Sequence, residues 1–492
     1  MIDYHNKYGN VYGTYFGSRP VLYVSDPQLI KQMNIKDFNV FIDRNDFNYA
    51  NDLLHQSLFN MKANEWKNMR SITSPTFSSG KMRSMHPIVV DCVHRLDRYL
   101  EPKALNRETI EMKKTMGCLT MDVIAACAFG TQIDTYDDQK PSEFVLMAQK
   151  VFSVSLRSIV YLIMLSMGSK LLKITGFRFT STSVEMFFKQ AIQSIIAKRQ
   201  SMKNNRQQQH MKHKDYLQLI LDAKDKTAIN NDNNNKDMKS IESAEEEDMD
   251  LIDGDQSDEI YGQINDKSID MNKLIANKQL VSKITDTDIL ASSFQFLVAG
   301  YETTGSLLAL LIYRLALDDE CQRKLFQEIS EQFNGQYDDY DSITRMPYLE
   351  ACIAETLRLY NPLPMFGRMA SQDYTIESIG LTIPKGMLVN FDIESIHHNP
   401  DYYPEPDCWN PDRFMPENRR KLVPYTYMPF GLGPRNCVGM RFALMEAKTA
   451  VVYLVNKYRF FRTPETKLHL KSQLMRLILD LRPIDIGIEL RD

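Results

Sequence analysis

The spacing of apolar residues changes several times along the chain, and each change predicts an element. Val11-Tyr-Gly-Thr-Tyr-Phe16 and Pro20-Val-Leu-Tyr-Val24 flank a Gly-Ser-Arg turn, which predicts a β-hairpin. Asp26-Pro27 then opens a helix with a capping carboxylate and a proline at the first position. From Glu65 to about residue 200 the apolar period is mostly helical. Residues 204–278 are Asn-rich and acidic and cannot bury enough apolar surface to fold, which predicts a largely disordered insertion. The apolar island Asp215-Tyr-Leu-Gln-Leu-Ile-Leu221 inside it predicts a helix. Thr285-Asp-Thr-Asp288 caps a long apolar helix from Ile289 to about Leu317, whose roughly 30 residues span roughly 45 Å. A helix ending Leu357-Arg-Leu359, a β-rich region (Tyr374–Ile376, Leu381–Pro384, Met387–Phe391) and a proline-studded segment follow. The segment leads into the loop Pro429-Phe-Gly-Leu-Gly-Pro-Arg-Asn-Cys-Val-Gly-Met440 and a last apolar-striped helix from Arg441. The expected fold class is therefore mainly α with small β-sheets.

Composition adds little to this. The 492 residues are 43% hydrophobic and 25% charged, ordinary for a globular protein with a substantial core. Net charge is −4, but residues 231–260 hold twelve acidic and two basic residues, leaving 57 basic against 51 acidic elsewhere. A mildly basic body is compatible with an acidic protein partner, with a solvated surface the plainer reading. No nucleic-acid partner is expected. The seven cysteines are scattered without Cys-x-x-Cys, which argues against a disulfide framework or a structural zinc site.

Two places carry candidate chemistry. In the 429–440 loop, Gly431, Gly433 and Gly439 are expected to permit backbone conformations that other residues resist. Cys437 sits at a helix entrance, where free N–H groups and the dipole favour a thiolate that can be a nucleophile, a zinc ligand or a haem ligand. In the long helix, Ala299-Gly-Tyr-Glu-Thr-Thr304 is a polar interruption that either merely kinks the helix or opens it locally, since a Thr hydroxyl can bond the carbonyl four residues back. Glu355 and Arg358 lie three apart on one helix face, among neighbours that imply burial.

Trp66-x-x-x-Arg70, Ala299–Thr304, Glu355-x-x-Arg358 and Phe430-Gly-x-Gly-x-Arg-x-Cys-x-Gly439, in this order, resemble the cytochrome P-450 superfamily of haem-thiolate monooxygenases. Ser74-Pro-Thr-Phe77 and Pro434-Arg-Asn-Cys-Val-Gly-Met-Arg-Phe-Ala443 are similar to its microsomal clan, which includes vertebrate family-three and arthropod detoxification enzymes. The resemblance implies one catalytic domain over residues 1–492 with 204–278 inserted in it. Heme b (iron protoporphyrin IX) would lie between the central helix and the cysteine loop. It implies Cys437 as axial thiolate and metal ligand, with Phe430 packed beside it. Trp66, Arg70, Arg368 and Arg435 are implied to hold the haem propionates. Ala299, Gly300 and Gly439 would lie against the haem, and Glu355, Arg358 and Arg413 would form a buried triad. Thr303 with Glu302 beside it is implied to deliver protons to bound dioxygen. Asp412, where the family has Glu, is a mild departure.

The implied reaction activates O2 with two electrons and inserts one oxygen atom into an apolar organic substrate, a xenobiotic, steroid or other lipid-like compound. Substrate contacts are expected from residues 40–62 and 155–185, Phe294, Ala299, Met365, Phe366, Leu474 and Met475. Gly431-Leu-Gly-Pro-Arg-Asn436 is not a dinucleotide fingerprint, since its sixth position is Asn and no strand precedes it. NADPH is thus expected to act only through a partner, NADPH-cytochrome P-450 reductase, with cytochrome b5 a further candidate. Lys62, Lys67, Arg419, Arg420 and Lys421 are candidates for the docking face. The clan's apolar anchor and proline-rich hinge are not found at the start of the chain. Peripheral membrane contact at the cytoplasmic face of the endoplasmic reticulum is therefore expected to rest on the apolar 155–172 patch. Three rival readings stand beside this one: a haem-dependent isomerase or dehydratase, disfavoured by Glu302-Thr303; a truncated haem-binding protein that does not turn over; and a cysteine hydrolase, for which no histidine is placed by motif.

Overall fold

A computed structural model describes residues 1–44, 53–133, 135–137, 142–152, 156–167, 172, 174–204, 215–222, 224, 284–333, 339–468, 470 and 483–491. Most of the insertion, Leu474 and Met475 lie outside the described residues. Ten helices order the site: α1 (Ala63–Thr73), α2 (Ser79–Leu105), α3 (Met112–Phe129), α4 (Glu143–Phe152), α5 (Leu156–Met167), α6 (Thr182–Asn204), α7 (Asp286–Leu317), α8 (Asp319–Gln332), α9 (Pro347–Leu359) and α10 (Met440–Lys457). The hairpin expected at the start is β1 (Val11–Phe16) against β2 (Arg19–Val24), with Val11 opposite Val24. Asp26 caps the next helix by accepting from the Gln28 and Leu29 N–H groups. Strands β3 (Thr109–Glu111), β4 (Met365–Met369), β5 (Tyr374–Ile376), β6 (Leu381–Ile383), β7 (Leu388–Asp392), β8 (Tyr458–Phe461) and β9 (Asp485–Leu490) complete three small sheets. Their orders are β1-β2-β7-β4, β3-β9-β8 and β5-β6, with β2 and β7 parallel. The apolar island of the insertion is helical over residues 216–222 and buries Tyr216, Leu217 and Ile220.

The centre is α7. Its start is a capping box in which Thr285 and Asp288 satisfy each other's backbone N–H groups. Leu308 to Ile312 are fully buried. By length and composition α7 could cross a membrane, but it is mostly buried, as expected of a core helix; the Glu143–Met167 stretch passes the same test while running over residues outside the described set. Helix α3 packs closely on α7, with glycines at the contact. A Cβ on Gly300 would stand 2.8 Å from Ile124 Cδ1, and one on Gly117 would stand 3.2 Å from the Tyr301 hydroxyl. The polar interruption of α7 is thus partly a packing device.

Behind the cysteine loop, Glu355 and Arg358 are both fully buried. Arg358 donates to both Glu355 oxygens at 2.7 and 2.9 Å and to the His397 and Pro406 carbonyls at 2.6 and 2.8 Å. Arg413 Nε lies 3.3 Å from the same carboxylate, and the Asn410 N–H donates to it at 2.9 Å. A buried ion pair is tolerable only when its remaining hydrogen-bonding capacity is used in this way. The carboxylate therefore ties α9 to the 397–413 segment. Glu355→Ala is expected to cost about 3–5 kcal/mol, because it strands two guanidinium groups out of water; urea unfolding measures this.

Candidate active site

The loop before α10 turns twice through left-handed backbone, at Gly431 (φ 79°) and Gly433 (φ 76°). A Cβ on Gly433 would stand 2.0 Å from the Asn34 carbonyl oxygen, so only glycine fits there. Gly439 differs from expectation: its φ is an ordinary −90° and no protein atom lies within 4 Å of where a Cβ would be. It leaves space rather than permitting a turn. The Cys437 N–H donates to the Phe430 carbonyl at 2.9 Å, closing the loop, and Phe430 is half-buried.

Cys437 is surface-accessible although its neighbours are buried or half-buried. On α7, Ala299 is likewise accessible and Thr303 half-buried, between the buried Leu297, Val298, Tyr301 and Thr304. Ala299 and Cys437 are thus open positions inside otherwise buried surroundings. Protein crowding pushes the Cys437 thiol up from its ordinary range, opposed by the Gly439 N–H and by Arg70 and Arg44. Metal ligation would reverse that balance, since a bound cation holds a thiol deprotonated.

Four arginines gather at the same place. Arg368 and Arg435 are nearly fully buried; Arg44 and Arg70 are partly so. Arg435 lies over the Trp66 ring at 4.6 Å and donates to the Met61 carbonyl. Arg70 donates to the Asn436 backbone and side-chain oxygens, each at 2.8 Å, and Arg44 donates to the Arg435 carbonyl at 2.9 Å. Burial lowers Arg44 and Arg70 to about 10 and Arg435 to about 9 and takes Arg368 well down, with repulsion from neighbouring arginines adding to it at Arg44, Arg435 and Arg368. Asp43 acts favourably on Arg435, but its carboxylate also caps the Ala63 N–H. Among the described residues, Arg70 Nε, Arg368 Nε, and Arg435 Nε and Nη1 are buried without a hydrogen-bond partner. Buried cations with orphan N–H groups call for an anion.

Comparison with known proteins gives that anion a context. The profile of the Cytochrome P-450 family matches residues 1–249 and 245–487. The chain is 33% identical over 499 residues to cytochrome P-450 3A11 of Mus musculus, covering all of this chain and 87% of the relative. It is 31% identical over 471 residues to cytochrome P-450 6k1 of Blattella germanica, covering 95% of this chain and 82% of the relative. The chain belongs to the cytochrome P-450 family and is a haem-thiolate monooxygenase. The residues present fit the cofactor: haem carries two propionates, and orphaned guanidinium groups beside a cysteine are the donor set that such a group needs.

At Gly300, expected against the haem, the direction a side chain would take leads to Ile124 of α3. Trp66, expected beside the propionates with the arginines, is the platform under Arg435 and meets Phe38 edge-on at 5.7 Å. Glu302 is not in contact with the Thr303 hydroxyl, which donates to the Ala299 carbonyl at 2.8 Å; its carboxylate is paired with Lys113 at 2.6 Å. Sequence reasoning missed Arg44, Asn436 and Lys113. Arg44 falls in the 40–62 stretch read as substrate contact, and no motif marks it.

Arg368→Met is expected to stabilise the haem-free protein by about 1–4 kcal/mol, because it removes a buried charge that lacks an anion. The same substitution should speed haem loss from the loaded protein. Urea unfolding of the first and transfer of haem to an acceptor globin from the second check both signs.

Proposed function

We propose that Cys437 ligates the haem iron of a monooxygenase that oxidises apolar organic compounds, xenobiotic or lipid-like, within one catalytic domain carrying the 204–278 segment as an insertion. The observation that carries this is the accessible Cys437 thiol beside a cluster of four arginines, three of which have buried N–H groups without a partner among the described residues. The haem, when bound, supplies dioxygen activation and oxygen-atom transfer.

The remaining roles belong to the chain. Arg44, Arg70, Arg368 and Arg435 neutralise the propionates, and the haem in turn removes the cost of holding those cations out of water. The Gly439 N–H donates toward the Cys437 sulfur and tempers its charge. Thr303, hydrogen-bonded to the Ala299 carbonyl, has an oxygen lone pair and a rotatable O–H with which to pass a proton, and Glu302 on the next residue is the acid that renews it. Phe294 is buried, Phe366 nearly so and Met365 half-buried; a lining of this kind suits bulky apolar substrates.

Electrons come from an NADPH-dependent reductase, with Arg420 and Lys421 exposed and Lys62, Lys67 and Arg419 partly exposed for its docking. Peripheral membrane contact rests on α5, where Leu156 is 77% and Met167 71% exposed. The β1–β2 turn packs against this helix so closely that a Cβ on Gly17 would meet the Ser166 carbonyl, which sets exposed Tyr15 and Phe16 near the same surface. On this reading the enzyme works at the cytoplasmic face of the endoplasmic reticulum.

The test is the absorption spectrum of the reduced, carbon-monoxide-bound protein. A strongly red-shifted Soret band is expected in the parent and its loss in Cys437→Ser. Haem without that band in the parent would overturn thiolate ligation by Cys437.

A further inference from the structure

A second concave space lies away from Cys437. Helix α3, the start of α4, the end of α2 and the 135–137 connection surround a cavity of about 150 Å³. Among the described residues, its lining includes none from the cysteine loop, the arginine cluster or the Ala299–Thr303 segment. Thr115, Cys118, Thr135 and Val145 are its buried floor, and the exposed Lys114, Asp137, Leu146 and Gln149 form its mouth. The Tyr99 and Tyr136 rings, 5.4 Å apart, make one wall. Gln149 is hydrogen-bonded to Tyr301 of α7, which fixes one edge of the mouth.

Two polar atoms of this lining lack a hydrogen-bond partner among the described residues: Thr135 Oγ1, on a side chain whose residue is only 4% exposed, and the buried Tyr136 hydroxyl. Buried hydroxyls left so are costly and call for a ligand or ordered water. Thr115 makes no such demand, because its hydroxyl donates to the Glu111 carbonyl at 2.9 Å. Burial and the Asp122 carboxylate push the Tyr136 phenol well up, so it stays a neutral O–H that can donate and accept. Water alone suits the space poorly. Against Val145 and the two ring faces it finds no hydrogen bond, and an apolar group displaces such water with a gain. An apolar cavity of about 150 Å³ takes one benzene ring. A charged ligand is disfavoured, because the floor is out of water and the two charges at the mouth, Lys114 and Asp137, are of opposite sign.

We propose that this cavity is a second small-molecule site, which takes a neutral single-ring compound carrying one hydroxyl group. The ring lies against Val145 and beside the Tyr99 and Tyr136 rings. Its O–H donates to one of the Thr135 and Tyr136 oxygens and its lone pair accepts from the other, so one group satisfies both. The site is independent of the roles proposed for Cys437, Glu302 and Thr303.

The experiment is a fluorine NMR titration of the haem-loaded protein, with the iron first saturated by 4-phenylimidazole so that the Cys437 side is occupied. 4-Fluorophenol is expected to bind saturably with a Kd of about 1 mM or tighter. Fluorobenzene, which lacks the hydroxyl, should bind about tenfold more weakly, and 4-fluorobenzoate should show no saturable binding. Thr135→Val and Tyr136→Phe should each weaken 4-fluorophenol by about threefold to tenfold and leave fluorobenzene unchanged. Leu146→Trp, at the exposed mouth, should abolish binding of both. The reduced, carbon-monoxide-bound spectrum of every variant should match the parent, which shows that each is folded around its haem. The proposal is overturned if 4-fluorophenol does not bind saturably, or binds the parent, Thr135→Val and Tyr136→Phe alike. It is equally overturned if fluorobenzene or 4-fluorobenzoate binds the parent as tightly, since the cavity would then hold water or an unspecific additive only.

Discussion

The interior of this protein is organised around positive charge that its own side chains do not neutralise. Four guanidinium groups surround the approach to one thiol, and two of them are almost completely out of water. Ordinary proteins avoid this, since an unpaired buried ion costs several kcal/mol. Aromatic platforms and backbone carbonyls soften the cost at Arg435 and Arg368, but four buried N–H groups still lack acceptors. Such an arrangement persists when a dianionic group completes it. The cofactor is on this account part of the fold's electrostatics, and its loss should be felt in stability as well as in activity.

A second constraint comes from the contact of α3 with α7. Small residues bring the two backbones together, and hydroxyls then take up spare carbonyl valences along α7: Thr303 on Ala299, Thr120 on Tyr301 and Ser306 on Glu302. Side-chain hydroxyls bonded to carbonyls loosen a helix, and here the three carbonyls lie together between Ala299 and Glu302, where α3 supplies both the clamp and a cation.

Much of this was legible in residues. The hairpin, the Asp26 and Thr285 caps, the long central helix and the Glu355–Arg358 pair all follow from short-range rules, and the structure has each of them. The helix at 216–222 inside an otherwise acidic stretch was readable because seven residues carry their own apolar pattern. The candidate site was less legible. Gly300 and Gly439 look alike in a motif, yet one packs against Ile124 and the other borders open space. Arg44 sits in no motif, and its role depends on Arg435, nearly four hundred positions away.

What the sequence determined by itself was local: periodicity, capping, the glycine-dependent turn at Cys437, and an order of motifs sufficient to place the chain in its family. These depend on neighbours within a few residues, so the linear pattern contains them. The tertiary structure alone decided which charges meet. Arg44, Arg70, Arg368 and Arg435 become one cluster, and Glu302 finds Lys113 rather than Thr303, because desolvation and Coulomb energy depend on distance in space.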